Sequence, residues 1–208
     1  MYLPDAFRES RPDVLHALIR ENSFGTLVST QDGQIEVTHL PFLLDPDRGP
    51  QGTLLGHVAR ANSQWRSFQG DLEVLTIFQG PHAYISPAWY GDHPSVPTWN
   101  YAAVHVYGVP HLIEDPAQAE QLLRRLVETY ETASGTGWTM DLPADYLDGM
   151  VRAIVAFEIP IARIQGKLKL NQNRSTDDRK SVVSGLEQRG EQDSLGVASL
   201  MRVHTLDG

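Results

Sequence analysis

The chain has 208 residues, 41% of them hydrophobic and 21% charged, which fits a soluble globular protein and excludes collagen-like, coiled-coil and disordered readings. It contains no cysteine, so disulfides, cysteine-bound zinc, iron–sulfur clusters and thiol catalysis are all excluded. Its 17 Lys and Arg against 26 Asp and Glu leave a net charge of −9, which disfavours a protein that coats DNA, since such affinity comes largely from neutralising phosphates.

The opening MYLPDAFRESRPD carries no apolar core of a secretory signal, and no apolar run is long enough to span a bilayer. A cytoplasmic protein without membrane contact is the expectation. Pro12 to Asn22 reads as a helix, with Val14, Leu15, Leu18 and Ile19 on one face. A strand over 24–30 meets a partner over 34–44 through Asp32-Gly33, a strong hairpin signal. The turn-rich stretch 45–52 precedes a strand over 53–58, and 59–68 reads as a turn into a short helix. Strands over 73–79 and 82–86 flank Gly80-Pro81, which predicts a second hairpin. A Pro- and aromatic-rich loop over 87–97 leads into a long strand over 99–108.

The clearest helix covers 116–131, with Asp115 as N-cap, Pro116 in the first position and Gln118 at the capping-box site. Ala119, Leu122, Leu123, Leu126, Val127 and Tyr130 form its apolar stripe. A shorter helix is expected over 144–151 and a strand over 153–170. Ser175 and Asp178 open a helix running to about 188. Residues 1–190 then form one domain, and 191–208, low in pattern, a C-terminal tail expected to be flexible. Many short strands with irregularly placed helices favour a mainly β (α+β) antiparallel barrel with peripheral helices over a parallel βαβ sheet.

No nucleophile elbow, P-loop or dinucleotide fingerprint occurs, and the eight His form no tight metal pair, so no metal site is expected. What remains is polar groups at strand ends. Thr38 and His39 precede Pro41, and His57 is followed by Arg60, Asn62 and Gln64. Guanidinium, imidazole, amide and hydroxyl groups gathered there could hold a phosphate, or Arg60 and Asn62 could only cap a turn. Thr98-Trp99-Asn100-Tyr101 could offer a platform to a flat heterocycle, or an ordinary cross-strand aromatic pair. Residues 163–180 hold six basic residues against two Asp, including Lys167, Lys169 and Arg174 beside Asn171, Gln172 and Asn173. This stretch reads as a phosphate or acidic-partner surface, or as a solvated edge that blocks aggregation. Trp89 and Tyr90 could line a pocket or a subunit interface.

At MYLPDAF, THLPF, GHVARAN, FQGPHAYISP, VPTWNYAAVHVYG and KLKLNQNRSTDDR, running in order from residue 1 to about 186, the chain resembles the PaiB-like FMN-binding negative transcriptional regulators. Ser63, Ala88 and Asn171 depart from that pattern without removing a candidate ligand. The resemblance implies an FMN-binding split β-barrel, an antiparallel Greek key usually built as a homodimer. It implies that Thr38, His39, His57, Val58, Arg60 and Asn62 face the flavin phosphate and ribityl chain. Trp99, Asn100 and Tyr101 would lie near the ring, with Lys169 and Asn171 closing the site. It also implies control of transcription. The sequence shows no helix-turn-helix with a basic recognition helix, so regulation through a partner protein or the flavin state is expected, with weak DNA binding by the chain alone. Two alternatives stay open. One is a flavin-dependent oxidoreductase like pyridoxamine-phosphate oxidases or flavin reductases, the other a haem-binding split barrel.

Overall fold

A computed structural model describes residues 1–68 and 70–206. Its elements in chain order begin with β1 (Arg8–Glu9), α1 (Pro12–Glu21), β2 (Phe24–Gln31), β3 (Gln34–Pro41), β4 (Leu43–Asp45) and β5 (Thr53–Ala59). They continue with β6 (Val74–Ile85), β7 (Thr98–Gly108), β8 (His111–Leu112), α2 (Pro116–Ser134) and α3 (Ala144–Arg152). Last come β9 (Ile154–Pro160), β10 (Arg163–Lys169), α4 (Thr176–Arg189) and α5 (Gln192–Met201). The architecture is α+β, and β1–β10, β2–β3, β2–β6, β4–β5, β5–β9 and β8–β9 all pair antiparallel.

The chain forms two compact units. One comprises Met1–Asn22, Phe78–His105 and the chain from Gln165 onward. In it β1 pairs with β10, Arg8 opposite Lys167, in the order β1-β10-β7-β6. Helix α1 begins at Pro12, which needs no donor there, and buries Leu15, Leu18 and Ile19. Ser175 caps α4 by accepting from the Asp178 amide at 3.2 Å, as its sequence predicts. Gly190 ends α4 in the left-handed region at φ 71°, where a glycine is cheapest.

The other unit comprises Ser23–Ile77 and Val106–Ile164. The β2–β3 hairpin turns on Asp32 (φ 50°) and Gly33 (φ 77°), the two positive φ values that a two-residue turn of this hand requires. Here β6 runs beside β2 and β2 beside β3. A second sheet has the order β4-β5-β9-β8. Phe42 and Phe68 pack on Phe157 with centroids 6.3 Å and 4.9 Å away. Leu122 and Leu126 of α2 join Leu43, Leu55, Ala119 and Ala156 in one buried cluster. The side chain of Asp115 caps α2 by accepting from the Ala117 amide at 2.9 Å.

Four expectations change. The strand predicted over 34–44 divides into β3 and β4, because the Phe42 amide leaves the ladder to bond Ser23 O at 2.9 Å. Gly80-Pro81 makes no hairpin, and β6 runs straight through it. Gly80 is needed for close approach instead: a Cβ there would lie 3.0 Å from the Ala102 Cβ. The buried face of β6 changes parity at this point, from residues 74, 76, 78 and 80 to 83 and 85. The strand predicted over 153–170 divides into β9 and β10, with the Ile161 amide bonded to Gly52 O at 3.0 Å between them. Residues 192–201 of the pattern-poor tail form helix α5, which buries Ser194, Val197, Ala198 and Met201. The tail's last two positions, 207–208, lie outside the described residues.

Candidate functional site

In the second unit, Thr38 and Asn62 are brought together. The Asn62 Nδ2 donates to Thr38 Oγ1 at 2.9 Å, and Asn62 Oδ1 accepts from the Gln64 amide at 2.9 Å. The amide is thus held at both ends, and the Thr38 hydroxyl, being an acceptor here, keeps its own proton to donate. His39 lies on the opposite face of β3, where its Nδ1 meets Thr26 Oγ1 at 3.0 Å. His57 sits five residues before Asn62, its Nδ1 buried without a hydrogen-bond partner. Burial holds its pKa below the ordinary 6.5, so the ring is neutral at pH 7. Val58 alternates to the other side of β5 and is core, 4% exposed.

Arg60 goes elsewhere than Thr38 and Asn62. Its Nε donates to Arg152 O and its Nη2 to Ile154 O, both at 2.7 Å. Its carbonyl accepts from Trp65 Nε1 at 3.1 Å. Gln64 turns inward, 1% exposed, and donates to Ser29 Oγ, Leu27 O and Glu36 O. The sequence gives that buried amide no distinguishing signal beyond its place two residues after Asn62.

In the first unit, strand alternation divides the aromatic–amide set. Trp99 is 52% exposed, whereas Asn100 is fully buried, donating through Nδ2 to Met201 Sδ at 3.4 Å and leaving Oδ1 unpartnered. Tyr101 returns to the Trp99 face, where the Lys167 ammonium lies 5.4 Å from its ring. Lys169 donates to Thr98 Oγ1 and, at 2.7 Å, to Trp99 O. Burial, and then the charge of Lys167, hold the Lys169 pKa below its usual value. Asn171 is buried with φ 60°, donating from Nδ2 to the Tyr90 hydroxyl at 2.9 Å.

Two aromatic neighbours escape the sequence reading. Tyr84 and His82 lie 6.1 Å and 6.2 Å from the Trp99 ring, and His82 Nδ1 is 3.9 Å from Asp193 Oδ2. Their period-two spacing in HAYIS is the signal that could have placed them on one face. Conversely, Trp89 and Tyr90 are less exposed than an interface pair would be. The Trp89 ring abuts Gly185 and lies 4.8 Å below the Arg189 guanidinium, while Tyr90 is 4% exposed beneath Arg174.

The basic stretch is largely spent internally. Lys167 is 7% exposed and donates to Tyr2 O at 3.0 Å, Arg163 stacks on Tyr107 at 3.5 Å, and Arg174 bonds Ser95. Among the described residues no helix is long and apolar enough to cross a membrane.

A family model described as "Putative FMN-binding domain" matches residues 1–163. The Protease synthase and sporulation protein PAI 2 of Bacillus subtilis is 38% identical over 202 residues, covering 97% of this chain and 96% of that protein. An uncharacterised protein of Emericella nidulans is 31% identical over 242 residues, with 97% and 96% covered. Among solved structures, an FAD and haem binding protein from Mycobacterium smegmatis aligns with TM-score 0.59 at 14% identity, over 84% of this chain and 78% of that one. A flavocytochrome from Azotobacter vinelandii aligns with TM-score 0.56 at 15% identity, over 78% and 69%. At these identities the likeness is one of fold, and it is the antiparallel split β-barrel expected from the sequence. Family model and curated relative agree over most of the chain, so the protein belongs to the PaiB-like family of FMN-binding domains, whose cofactor is FMN.

Proposed function

We propose that this chain is an FMN-holding regulator whose effect on transcription passes through the flavin's state or a partner protein. The observation that carries the reading is the Thr38–Asn62 pair, an amide fixed at both ends that leaves a hydroxyl donor free for a phosphate oxygen. The buried, unpartnered His57 Nδ1 adds a neutral imidazole to the same stretch, and His39 with Thr26 lines the neighbouring face of the hairpin. Within the first unit, taken by itself, Trp99 and Tyr101 share a strand face suited to a flat ring. The Lys169 ammonium uses two of its donors on Thr98 and Trp99, and its remaining proton and burial-raised energy suit an anionic partner. Asn100 and Asn171 in the first unit, and Val58 in the second, are buried and would not touch a ligand through their side chains. Arg60, committed to two carbonyls, is left out of the contact set.

Bound FMN supplies a redox couple and hence a signal. The helix pair α4–α5 does not read as a DNA-gripping motif, because α5 holds Asp193 and no Lys or Arg. A homodimer accompanies this reading, resting on the exposed apolar hairpin face of Phe24 (69% exposed), Ile35 (73%) and Val37 (53%). A second reading, a flavin-dependent oxidoreductase, is favoured by the His82–Asp193 pair beside Trp99, which could hold a proton near a reacting ring. The visible spectrum of the purified protein, before and after adding FMN and then a reductant, tests both. A bound-flavin spectrum that changes only with chemical reductant supports the regulator. Flavin reduction by a small organic donor supports the enzyme, and no perturbed flavin band at all removes both.

A further inference from the structure

We infer that the second unit carries a separate site for a small organic carboxylate with an apolar body, in a cavity of about 330 Å³ whose lining includes Arg60 and Arg152. The volume lies at the small end of the range typical of ligand pockets. Trp65, Ile113, Val151 and Ile154 provide apolar wall. The last three pack against the buried cluster that contains Ala119 and Ala156, and these two short side chains also line the space.

Charge assigns the head group. Among the described residues half of the arginines are ion-paired, and neither Arg60 nor Arg152 is among them, so both guanidiniums at this cavity keep an unmatched charge. Arg60 is also oriented in advance. Its Nε and Nη2 are fixed on the carbonyls of Arg152 and Ile154, its backbone amide on Ala153 O at 2.8 Å, and its carbonyl on the Trp65 indole. A guanidinium so held still has N–H groups for a carboxylate, and holding it spares the ordering cost of binding. Glu114 at the same cavity leaves the lining with a net single positive charge, which matches a monoanion better than a phosphate dianion. An aryl- or branched alkyl-carboxylic acid fits both the wall and the charge.

The test follows the Trp65 indole signal by NMR, assigned with Trp65→Phe, while titrating phenylacetate, the neutral isostere phenylacetamide, and the cation phenethylamine. Phenylacetate is expected to shift the signal saturably, with the amide bound about tenfold or more weakly and the amine not at all. Arg152→Gln, whose side chain makes no hydrogen bond or ion pair among the described residues, should weaken phenylacetate by about tenfold, and Ala119→Leu should abolish binding by filling the space. FMN titration of Arg152→Gln should match the parent protein, which separates this site from the flavin reading. Equal binding of acid and amide, phenylacetate affinity unchanged in Arg152→Gln or Ala119→Leu, or no shift up to millimolar acid would each overturn the assignment.

Discussion

Asn62 shows what a single residue does here. It ties β3 to the turn after β5 by donating to Thr38 and capping the Gln64 amide. Asn62→Ala removes both bonds and should cost about 1–2 kcal/mol of stability and weaken FMN about tenfold, read by urea melts and flavin titration. Arg60→Gln should leave FMN affinity within about twofold of the parent, since its guanidinium faces carbonyls of residues 152 and 154. The histidines make a pH prediction. His57, His105 and His204 all titrate below the ordinary 6.5. Burial is the main cause in each case, followed by the N-terminal charge at His105 and the Arg11 charge at His204. The unfolded chain therefore binds protons at higher pH than the folded chain. Stability should rise with pH through the window from the lowered values up to 6.5, and fall on acidification across it. Glu9 acts in a lower window. Burial raises its pKa, but the hydrogen bonds and charge of Arg11 and the Ser10 amide outweigh that and hold it below 4.5. Its contribution is present above that value and fades as pH falls through the folded one. Thermal melts that are flat between pH 7 and 5 would contradict the histidine argument.

At the scale of elements, local chemistry was legible where one rule decides. Asp115 caps α2 and Ser175 caps α4, the Asp32-Gly33 turn sets the β2–β3 register, and α3 follows its predicted span within a residue. Asp115→Ala should lower stability by about 1 kcal/mol in denaturant melts, with helicity loss confined to the first turn of α2. Legibility failed where a partner distant in sequence decides. Gly80-Pro81 has turn composition, but its missing side chain serves the approach of Ala102. Gly108 ends β7 for a similar reason, since a Cβ there would stand 2.3 Å from Pro160 O. Gly108→Ala should therefore cost about 3 kcal/mol, the upper part of the usual range for overpacking, because the backbone it meets cannot step aside. The candidate site was legible in its residue types and less so in its directions. Alternation in β7 sends Asn100 inward while Trp99 and Tyr101 share a face, and Arg60 turns to carbonyls that no sequence spacing announces. Helix α5 went unread because its buried set of Ser194, Val197, Ala198 and Met201 lacks the bulk of an ordinary apolar stripe.

For the whole molecule, charge and cofactor decide the account. Net charge is −9, and much of the only basic stretch is buried or stacked, as at Lys167, Arg163 and Arg174. Fluorescence anisotropy at about 150 mM salt should find DNA binding weaker than micromolar and insensitive to sequence. Nanomolar, sequence-specific binding by the pure protein would restore a direct repressor. The central claim is that the second unit of this chain holds FMN through Thr38, His57 and Asn62. A flavin-fluorescence titration tests it most directly. The account predicts saturation at one FMN per chain with a dissociation constant in the low micromolar range or tighter, corresponding to about 8 kcal/mol. Asn62→Ala should raise it about tenfold. Absence of saturable binding, or equal affinity in parent and variant, would contradict it.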